Sequence, residues 1–431
     1  MKQNRSYTIP IILVTSLFFL WAFLHNINPI LIPHLRKACQ LSDTQSAFID
    51  TAVYLAYFTI ALPAGFFMQR FGYKKGILFG LLLYGVGALL FLPAASSRNY
   101  ALFLGALFVI AAGATFLETV ANPYMTKLGD ERDGARRLNF AQSFNGVGAF
   151  LAPIIGGKFI LSGIEHTPAE LQQMAAGGQL NTYLQSEADT VRTPYLVIAA
   201  GVLLLLALFA ASRLPETGAP ARDSKAPRFS LKVLRMPQVA WAVVAQFFYV
   251  GAQVGVGSFF IRFAKQAMAL PEKDAAYWWG YIAMVGFMAG RFVGTFLMKY
   301  IRAERLLALY AFLSILLLMV AVFTQGKLAV YALMAVPFFM SIMFPTIFAL
   351  GVKGLGEETK IASSFIIMSI VGGAFFPLIM GAISDASGSI QFGYLVPAAC
   401  IAVVLLFALR RNEKVRNGKA AAPADVLAYA H

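Results

Sequence analysis

The chain has 431 residues, of which 59% are hydrophobic and 13% charged, and its mean hydropathy is +0.70. Soluble domains carry about 25% charged residues, so this composition excludes an ordinary soluble enzyme, and the 38 Phe and 17 Tyr exclude intrinsic disorder. The net charge of +15 is typical of a membrane protein with basic loops at one face, so nucleic-acid binding is not needed to explain the charge. Two cysteines and four scattered histidines form neither a disulfide framework nor a metal motif, so no cofactor is expected.

Apolar runs between charged or Pro/Gly breaks predict an all-α membrane protein, because a bilayer core about 30 Å thick needs roughly 20 apolar residues per spanning helix. The twelve predicted spans are residues 9–35, 46–69, 76–95, 101–126, 138–162, 194–212, 238–264, 274–298, 304–323, 328–352, 361–384 and 391–409. With a cytoplasmic N-terminus, 25 of the 35 Lys and Arg residues lie inside and nine outside. The positive-inside rule therefore predicts that both termini are cytoplasmic.

Two short patterns repeat between the halves of the chain. A glycine followed by a cation five residues later occurs at Gly65 and Gly294, and a glycine pattern ending in Ala-Phe occurs at residues 146–150 and 372–375. Offsets of 229 and 225 residues fit six spans per half. The domains predicted from this repeat are an N-terminal bundle 1–212, a cytoplasmic linker 213–236, a C-terminal bundle 237–411 and a cytoplasmic tail 412–431.

Polar side chains inside apolar spans indicate a candidate substrate site. Glu118 lies in mid-span, where a carboxylate costs roughly 2.5–3.5 kcal/mol, so it is expected to face a cavity, to pair or to be protonated. Polar side chains share helix faces in three sets: Glu118 with Asn122, Gln142 with Asn145, and Gln246 with Tyr249 and Gln253. Together, amides, a carboxylate and aromatic rings match the hydroxyl groups and the apolar face of a hexose. Each amide could alternatively serve only to join helices.

Ordered motifs over both halves carry a resemblance to a known family. They are Phe19-Leu-Trp21 with Asn26-Ile-Asn28, Ala61-Leu-Pro63 with the loop Gly65 to Lys75, Leu117-Glu118-Thr119-Val-Ala-Asn122-Pro123, Asn139-Phe-Ala-Gln142-Ser-Phe144-Asn145, Phe248-Tyr249-Val-Gly251-Ala-Gln253, Gly290-Arg291-Phe292 and Ser341-Ile-Met-Phe344-Pro345-Thr346. The chain resembles the major facilitator superfamily and, more narrowly, its fucose/glucose/galactose:cation symporters. In the loop, Gln69 stands where that superfamily usually has Asp.

The resemblance implies two six-helix bundles that import a monosaccharide with a cation by alternating access. The residues expected to bind substrate are Glu118, Asn122, Gln142, Asn145, Asn26, Asn28, Gln253 and Tyr249. The residues expected to act in gating or conformational change are Gly65, Arg70, Gly72, Lys74 and Arg291. For Arg291, pairing with a carboxylate and snorkelling toward the cytoplasm both remain open.

The coupling ion is the point at which the sequence departs from the family. The family usually has Asp after the second Asn of the first helix, and this chain has Pro29 there. Three options follow: Glu118 alone carries a proton, His25 or Asp50 takes the missing role, or Na⁺ binds near Glu118 and the carbonyls freed by Pro29. The proton is favoured, because a carboxylate in a cavity of low dielectric constant can titrate without a second acid.

Other functional classes are less consistent with the sequence. An enzyme would need a clustered nucleophile or a metal motif, and a channel or receptor would more often show a pore repeat or a ligand domain. The sequence contains no Walker-type phosphate-binding loop, so ATP is not expected to drive transport. The expected partners are therefore a small-molecule sugar, H⁺ or Na⁺ and the lipid bilayer, for a monomer in a bacterial inner membrane. The sequence does not choose among fucose, glucose, galactose, mannose, fructose and an N-acetylated amino sugar.

Overall fold

The computed structural model describes residues 7–27, 31, 34–35, 37–41, 43–160, 166, 168–215 and 232–416, and its regular structure throughout these ranges is helical. Each of the twelve predicted spans overlaps a helix or a consecutive run of helices, which are labelled α1 to α12. Their bounds are Thr8–His25 (α1), Asp43–Ser97 (α2 and α3), Tyr100–Lys127 (α4), Gly134–Phe159 (α5), Arg192–Ala211 (α6), Pro237–Ser258 with Phe260–Met268 (α7), Glu272–Trp278 with Trp279–Ala283 and Met284–Leu297 (α8), Ala303–Phe323 (α9), Gly326–Met340 with Met343–Val352 (α10), Thr359–Met368 with Ser369–Val371 and Gly372–Ser387 (α11), and Ile390–Gly393 with Leu395–Arg416 (α12). Short helices also occur at Glu131–Asp133, Pro168–Ala176, Leu180–Asp189, Lys232–Arg235 and Gly356–Glu358.

Local chemistry explains several helix ends. Gly72 separates α2 from α3 with a φ of 85°, a conformation that glycine adopts without a Cβ clash. The Asn99 side chain accepts a hydrogen bond from the Leu102 amide at 3.2 Å and so caps the start of α4. Gly388, with a φ of 67°, ends α11 in the left-handed conformation that is common after a helix.

Nine stretches of the described chain are long and apolar enough to cross a membrane, and α1 contributes a shorter apolar helix at Thr8–Phe23. One of the nine, Ala52–Ser97, covers both α2 and α3. The helix α5 is not among them, although it has 26 residues. Its polar residues, such as Asn139, Gln142 and Asn145, reduce its hydropathy, which is the expected cost of placing a polar site on a spanning helix.

The helices pack mainly within two halves, α1–α6 and α7–α12. In the first half α1 packs on α5 and α4, and the α2–α3 run packs on α4 and α6; in the second, α9 packs on α10 and α12, and α7 on α11 and α12. Contacts between the halves join α2 with α11, α5 with α8 and α10, and α4 with α11. The domain boundaries stay a prediction, and residues 216–231 of the predicted linker and 417–431 of the tail lie outside the described residues.

The pair of short helices Pro168–Ala176 and Leu180–Asp189 is anchored by an ion pair whose carboxylate is buried. Lys37 Nζ lies 2.8 Å from Oε1 of Glu187, whose side chain is 2% exposed. Burial lowers the pKa of Lys37, but its hydrogen bonds to Glu187 and Tyr183 outweigh burial and raise that pKa above its usual value. Lys37 therefore stays charged, and its contact with Glu187 fixes the segment after α1 to the helix before α6.

Candidate functional site

A central cavity of about 300 Å³ lies between the two halves. Its size is at the lower end of pockets that hold small molecules, roughly 300–1,000 Å³. The residues that line it are Trp21, Ala22, Asn26, Tyr54, Tyr57, Glu118, Gln142, Asn145, Ala149, Val250, Gln253, Val254, Met284, Phe287, Arg291, Phe344 and Ile370. Eight helices from both halves thus contribute to one space, which combines a carboxylate, a guanidinium, four amides and aromatic rings.

Glu118 is the carboxylate of the central cavity. It lies on α4, and its Oε1 accepts a hydrogen bond of 3.1 Å from the hydroxyl of Tyr57 on α2. The Tyr57 side chain is itself buried. A carboxylate that faces a cavity with a hydroxyl donor on one side can exchange a proton and can accept hydrogen bonds from a ligand.

Asn122 lies one turn after Glu118 but does not line the cavity. Its Nδ2 donates to the backbone oxygen of Glu118 at 2.8 Å, and its Oδ1 accepts from Nε2 of Gln142 at 3.4 Å. The Asn122 side chain is fully buried, whereas Gln142 reaches the cavity. Asn122 therefore holds the Gln142 side chain in position from outside the cavity.

Arg291 links the two halves across the cavity. Its guanidinium, on α8, donates at 2.8 Å to Oδ1 of Asn145 on α5, to the backbone oxygen of Gln142 and, at 3.1 Å, to the backbone oxygen of Ser341. It also lies over the Phe287 ring, 4.5 Å from the centroid. The residue is 4% exposed. Backbone and amide oxygens are thus its hydrogen-bond partners within the described residues, and its position makes it a ligand-facing residue as well as a gating candidate.

The remaining predicted site residues divide into three groups. Asn26 and Gln253 line the cavity, with Nδ2 of Asn26 donating to Ala22 O at 2.7 Å. Tyr249 does not line it, because its hydroxyl is buried and donates to Met340 O at 3.0 Å. Asn28 lies outside the described residues, as do the side chains of His25 and Asp50.

Sequence reasoning missed most of the aromatic part of the cavity, to which Phe344 of a motif quoted above also belongs. Trp21, Tyr54, Tyr57 and Phe287 line it, and Trp21 packs on Phe18 at 4.3 Å between ring centroids. The spacing of Tyr54 and Tyr57, three residues apart in an apolar helix, was an available signal because it places two hydroxyls on one face. Rings of this kind offer apolar surface to the C–H face of a sugar.

The halves also meet at the face where α1 begins and α12 ends, called here the terminal face. Asn139 Nδ2 donates to Thr346 Oγ1 at 3.1 Å, and Ser363 Oγ donates to Thr119 O at 3.2 Å. A Cβ built on Gly65 would overlap the Ser364 hydroxyl. These contacts form the terminal-face seal, which comprises Gly65, Thr119, Asn139, Thr346, Ser363 and Ser364. On α4, α5, α10 and α11 the seal residues lie nearer to the terminal face than the cavity residues do.

The loop between α2 and α3 contacts its own half. Lys74 Nζ donates to Ala210 O and Ser212 O, each at 2.8 Å, at the end of α6. Arg70 is exposed and lies 5.3 Å from the centroid of the Phe71 ring. At the family's Asp position, Oε1 of Gln69 is buried without a hydrogen bond from the described residues. Of the predicted gating residues in this region, Gly65 is the one that touches the opposite half.

Residues 13–370 match the family model of the Major Facilitator Superfamily. The chain belongs to this superfamily. The family consists of membrane transporters and not of enzymes. An all-α fold with twelve spanning helices in two six-helix bundles, as predicted from the sequence, is thereby confirmed.

Similar proteins include bacterial sugar transporters. The chain is 43% identical over 421 residues to the L-fucose-proton symporter of Escherichia coli (strain K12), covering 96% of each chain. It is 41% identical over 416 residues to a glucose/galactose transporter of Brucella abortus, covering 95% of each. A crystal structure of the E. coli transporter FucP in the outward conformation superposes with a TM-score of 0.88 at 42% identity, covering 94% of this chain and 99% of that one.

Proposed function

We propose that this protein imports a monosaccharide, which is a hexose, a deoxyhexose or a related sugar, together with a proton by alternating access. The central cavity carries the proposal. Glu118 with Tyr57 supplies an ionisable acceptor, while Gln142, Asn145 and Arg291 supply donors and acceptors from both halves. A sugar needs this mixture, because every hydroxyl taken from water loses hydrogen bonds that the site has to replace.

The relatives support the same substrate class. One is named for L-fucose and protons, and another for glucose and galactose. Both align over nearly the whole chain, so the aligned region includes every helix that lines the central cavity. A cavity of about 300 Å³ offers room for one sugar ring.

A proton on Glu118 would couple to sugar binding through the shared cavity. The protonated carboxyl group is neutral, so its burial away from water does not carry the energetic cost of burying a charge. The site can therefore close over the sugar and the protonated Glu118 together. The terminal-face seal is closed in this conformation, and a related structure of TM-score 0.88 is described as outward. The conformation therefore fits a state that accepts sugar from outside.

Charge distribution and chain organisation support a proposed arrangement in the cell. The protein would act as a monomer in a bacterial inner membrane. Both termini would lie in the cytoplasm, because Lys and Arg concentrate at the terminal face. Residues 1–212 and 237–411 would form the two rocking bundles, joined by the linker 213–236.

Uptake of labelled sugars into proteoliposomes tests the function. With the pH outside lower than inside, L-fucose, D-galactose, D-glucose, D-mannose, D-fructose and N-acetylglucosamine should be compared, with empty liposomes as the control. Accumulation of at least one sugar above equilibrium is expected. No accumulation and no exchange of any of them would contradict the proposal.

A further inference from the structure

A second cavity, of about 400 Å³, opens at the terminal face between the two halves. The connection from α4 to α5 lines it on one side, and the α8–α9 connection with the end of α10 lines it on the other. It shares no lining residue with the central cavity. The function proposed above leaves this space without a role.

The lining of this basic cavity has an excess of positive charge. Among its described side chains are six cations and two carboxylates, Asp133 and Glu304. The cations are Lys127, Arg132 and Arg136 from the first half and Lys299, Arg302 and Lys353 from the second. Cations from the two halves therefore face each other across one space, and their mutual repulsion disfavours the approach of the halves.

The two carboxylates are already paired within their own half. Asp133 lies 3.5 Å from Arg136, and Glu304 lies 3.7 Å from Arg302. No carboxylate of the described residues lies within 4.0 Å of Arg132, Lys299 or Lys353. These three side chains are exposed at the cavity and available as donors.

Carbonyl oxygens that could compensate this charge are also engaged. Thr126 O accepts from Arg137 at 2.8 Å, Leu350 O accepts from Arg411 at 3.1 Å, and Lys353 O accepts from Gln238 at 2.7 Å. Of the six cations, Lys127 itself donates to the backbone oxygen of Gly356 in the other half, so the unpaired donors of the cavity among the described residues are those of Arg132, Lys299 and Lys353. A group with several charged oxygens satisfies such a site best, and phosphate is the common biological example.

We propose that the basic cavity binds a phosphate-bearing anion, either the headgroup of an anionic lipid or free phosphate, and that the bound anion holds the terminal-face seal closed. Both halves supply cations, so the complete site exists only while the halves meet at this face. A ligand that binds one conformation shifts the population toward it. The bound anion also replaces repulsion between the halves with attraction to a shared charge.

The binding test uses the full-length protein in nanodiscs with two separate sources of phosphate. One arm contains phosphatidylcholine alone and is titrated with inorganic phosphate; the other contains phosphatidylglycerol and no free phosphate. Ligand retention by native mass spectrometry and thermal stability are measured. Wild type should retain a ligand in at least one arm, and the arm that responds identifies the source.

Two triple variants separate a site from general surface charge. Arg132→Gln/Lys299→Gln/Lys353→Gln removes the donors without a carboxylate partner, and binding is expected to weaken roughly tenfold or more. Lys75→Gln/Arg235→Gln/Arg305→Gln removes equal charge from exposed positions of the same face outside the cavity, and binding should be kept. Equal loss in both variants, or no ligand in either arm, would overturn the proposal.

Closure of the seal is measured with a buried reporter. Thr119 is fully buried at the seal, so Thr119→Cys in a Cys39→Ser/Cys400→Ala background reports opening by its reaction with a water-soluble maleimide. The responding anion should slow this labelling in the otherwise wild-type protein and not in the cavity variant. Binding with an unchanged labelling rate would refute the link to closure, and neither readout depends on the identity of the transported sugar.

Discussion

At the scale of single residues, the contact between Glu118 and Tyr57 separates coupling from binding. The carboxylate accepts the Tyr57 hydroxyl at 3.1 Å and also lines the central cavity. A glutamine side chain has nearly the same shape and keeps one acceptor oxygen, but it cannot gain or lose a proton. Substitution by glutamine therefore tests proton exchange while much of the hydrogen bonding stays in place.

We expect Glu118→Gln to abolish accumulation of sugar against its gradient while exchange of labelled for unlabelled sugar continues. Accumulation needs a proton to be taken up on one side and released on the other, whereas exchange needs only sugar binding and movement of the halves. Both are measured in proteoliposomes with and without a pH gradient.

A matched carboxylate-to-amide change supplies the control. Asp385→Asn alters an exposed residue of α11 and should leave both activities at the wild-type level. Normal accumulation by Glu118→Gln would end its assignment as the coupling group.

The two amides on α5 give the second prediction. Gln142→Ala and Asn145→Ala should each weaken sugar binding by about 1–3 kcal/mol, or roughly fivefold to 150-fold, because a ligand hydroxyl or the Arg291 guanidinium is left without a partner. Calorimetric titration of purified protein measures the affinity. Gln172→Ala, at an exposed site on a short outer helix, is the control.

Affinity and folded yield have to be read together for these variants. If affinity is unchanged while the yield of folded protein falls, the amides only hold helices together. Asn122→Ala is informative for the same reason: Asn122 touches Gln142 but not the cavity, so its effect on binding should be smaller than that of Gln142→Ala.

The sequence predicted part of this residue-level picture. Glu118, Gln142 and Asn145 were identifiable because a polar group in an apolar helix is costly and needs a reason. The bonds from Tyr57 to Glu118 and from Arg291 to Asn145 were not, since they join residues 61 and 146 positions apart in the chain. Helix periodicity gives the face of a residue but not the helix that the face meets.

At the scale of secondary-structure elements, the close approach of α2 and α11 depends on a missing side chain. A Cβ on Gly65 would overlap Ser364 Oγ and lie 3.2 Å from Lys360 O. The sequence motif placed Gly65 at the start of the loop that resembles the superfamily signature, but only the packing identifies Ser364 as its partner. Pairs of small residues allow helices to come this close in a membrane protein.

Gly65→Ala should therefore weaken the terminal-face seal. Overpacking costs about 1–3 kcal/mol, which lowers the equilibrium constant between the sealed and the open state roughly fivefold to 150-fold. Labelling of Thr119→Cys by a water-soluble maleimide should accelerate, and adding Ser364→Gly should largely reverse the change.

The control for this prediction is another glycine in a spanning helix. A Cβ on Gly105, in α4, would meet nothing within 4 Å, so Gly105→Ala should not change the labelling rate. If Gly65→Ala leaves labelling unchanged, the contact with Ser364 does not limit opening.

Helix breaks were less predictable than helices. The twelve apolar runs were readable from hydropathy, whereas the interruptions within α7, α8, α10, α11 and α12 fall inside those runs and leave the apolar pattern unchanged. The two helices between α5 and α6, Pro168–Ala176 and Leu180–Asp189, were absent from the prediction because their segment is polar. Their position depends in part on the long-range pair of Lys37 with Glu187.

At the scale of the whole molecule, the two halves form one cavity and close it at one face. Arg291 is central to this arrangement, because it contacts α5 at the cavity while it belongs to the opposite half. Any rocking of the halves has to exchange these hydrogen bonds for others. Sugar and ion binding can therefore influence the same movement without touching each other.

The coupling ion is the final prediction, and it concerns the whole transport cycle. The superfamily relatives include a fucose-proton symporter, but this chain has Pro29 at the family's Asp position. Glu118 remains the carboxylate of the central cavity among the described side chains. We therefore expect one titrating acid to be sufficient, with a proton as the coupled ion.

Imposed gradients distinguish the ions in proteoliposomes that contain the sugar transporter. Uptake is measured with an inward pH gradient in sodium-free buffer and then with an inward sodium gradient at constant pH. Stimulation is expected in the first condition, and Glu118→Gln should remove it. Stimulation by sodium alone would instead assign the cation to Glu118 and oxygens near the Pro29 break, and equal uptake under all conditions would identify a uniporter.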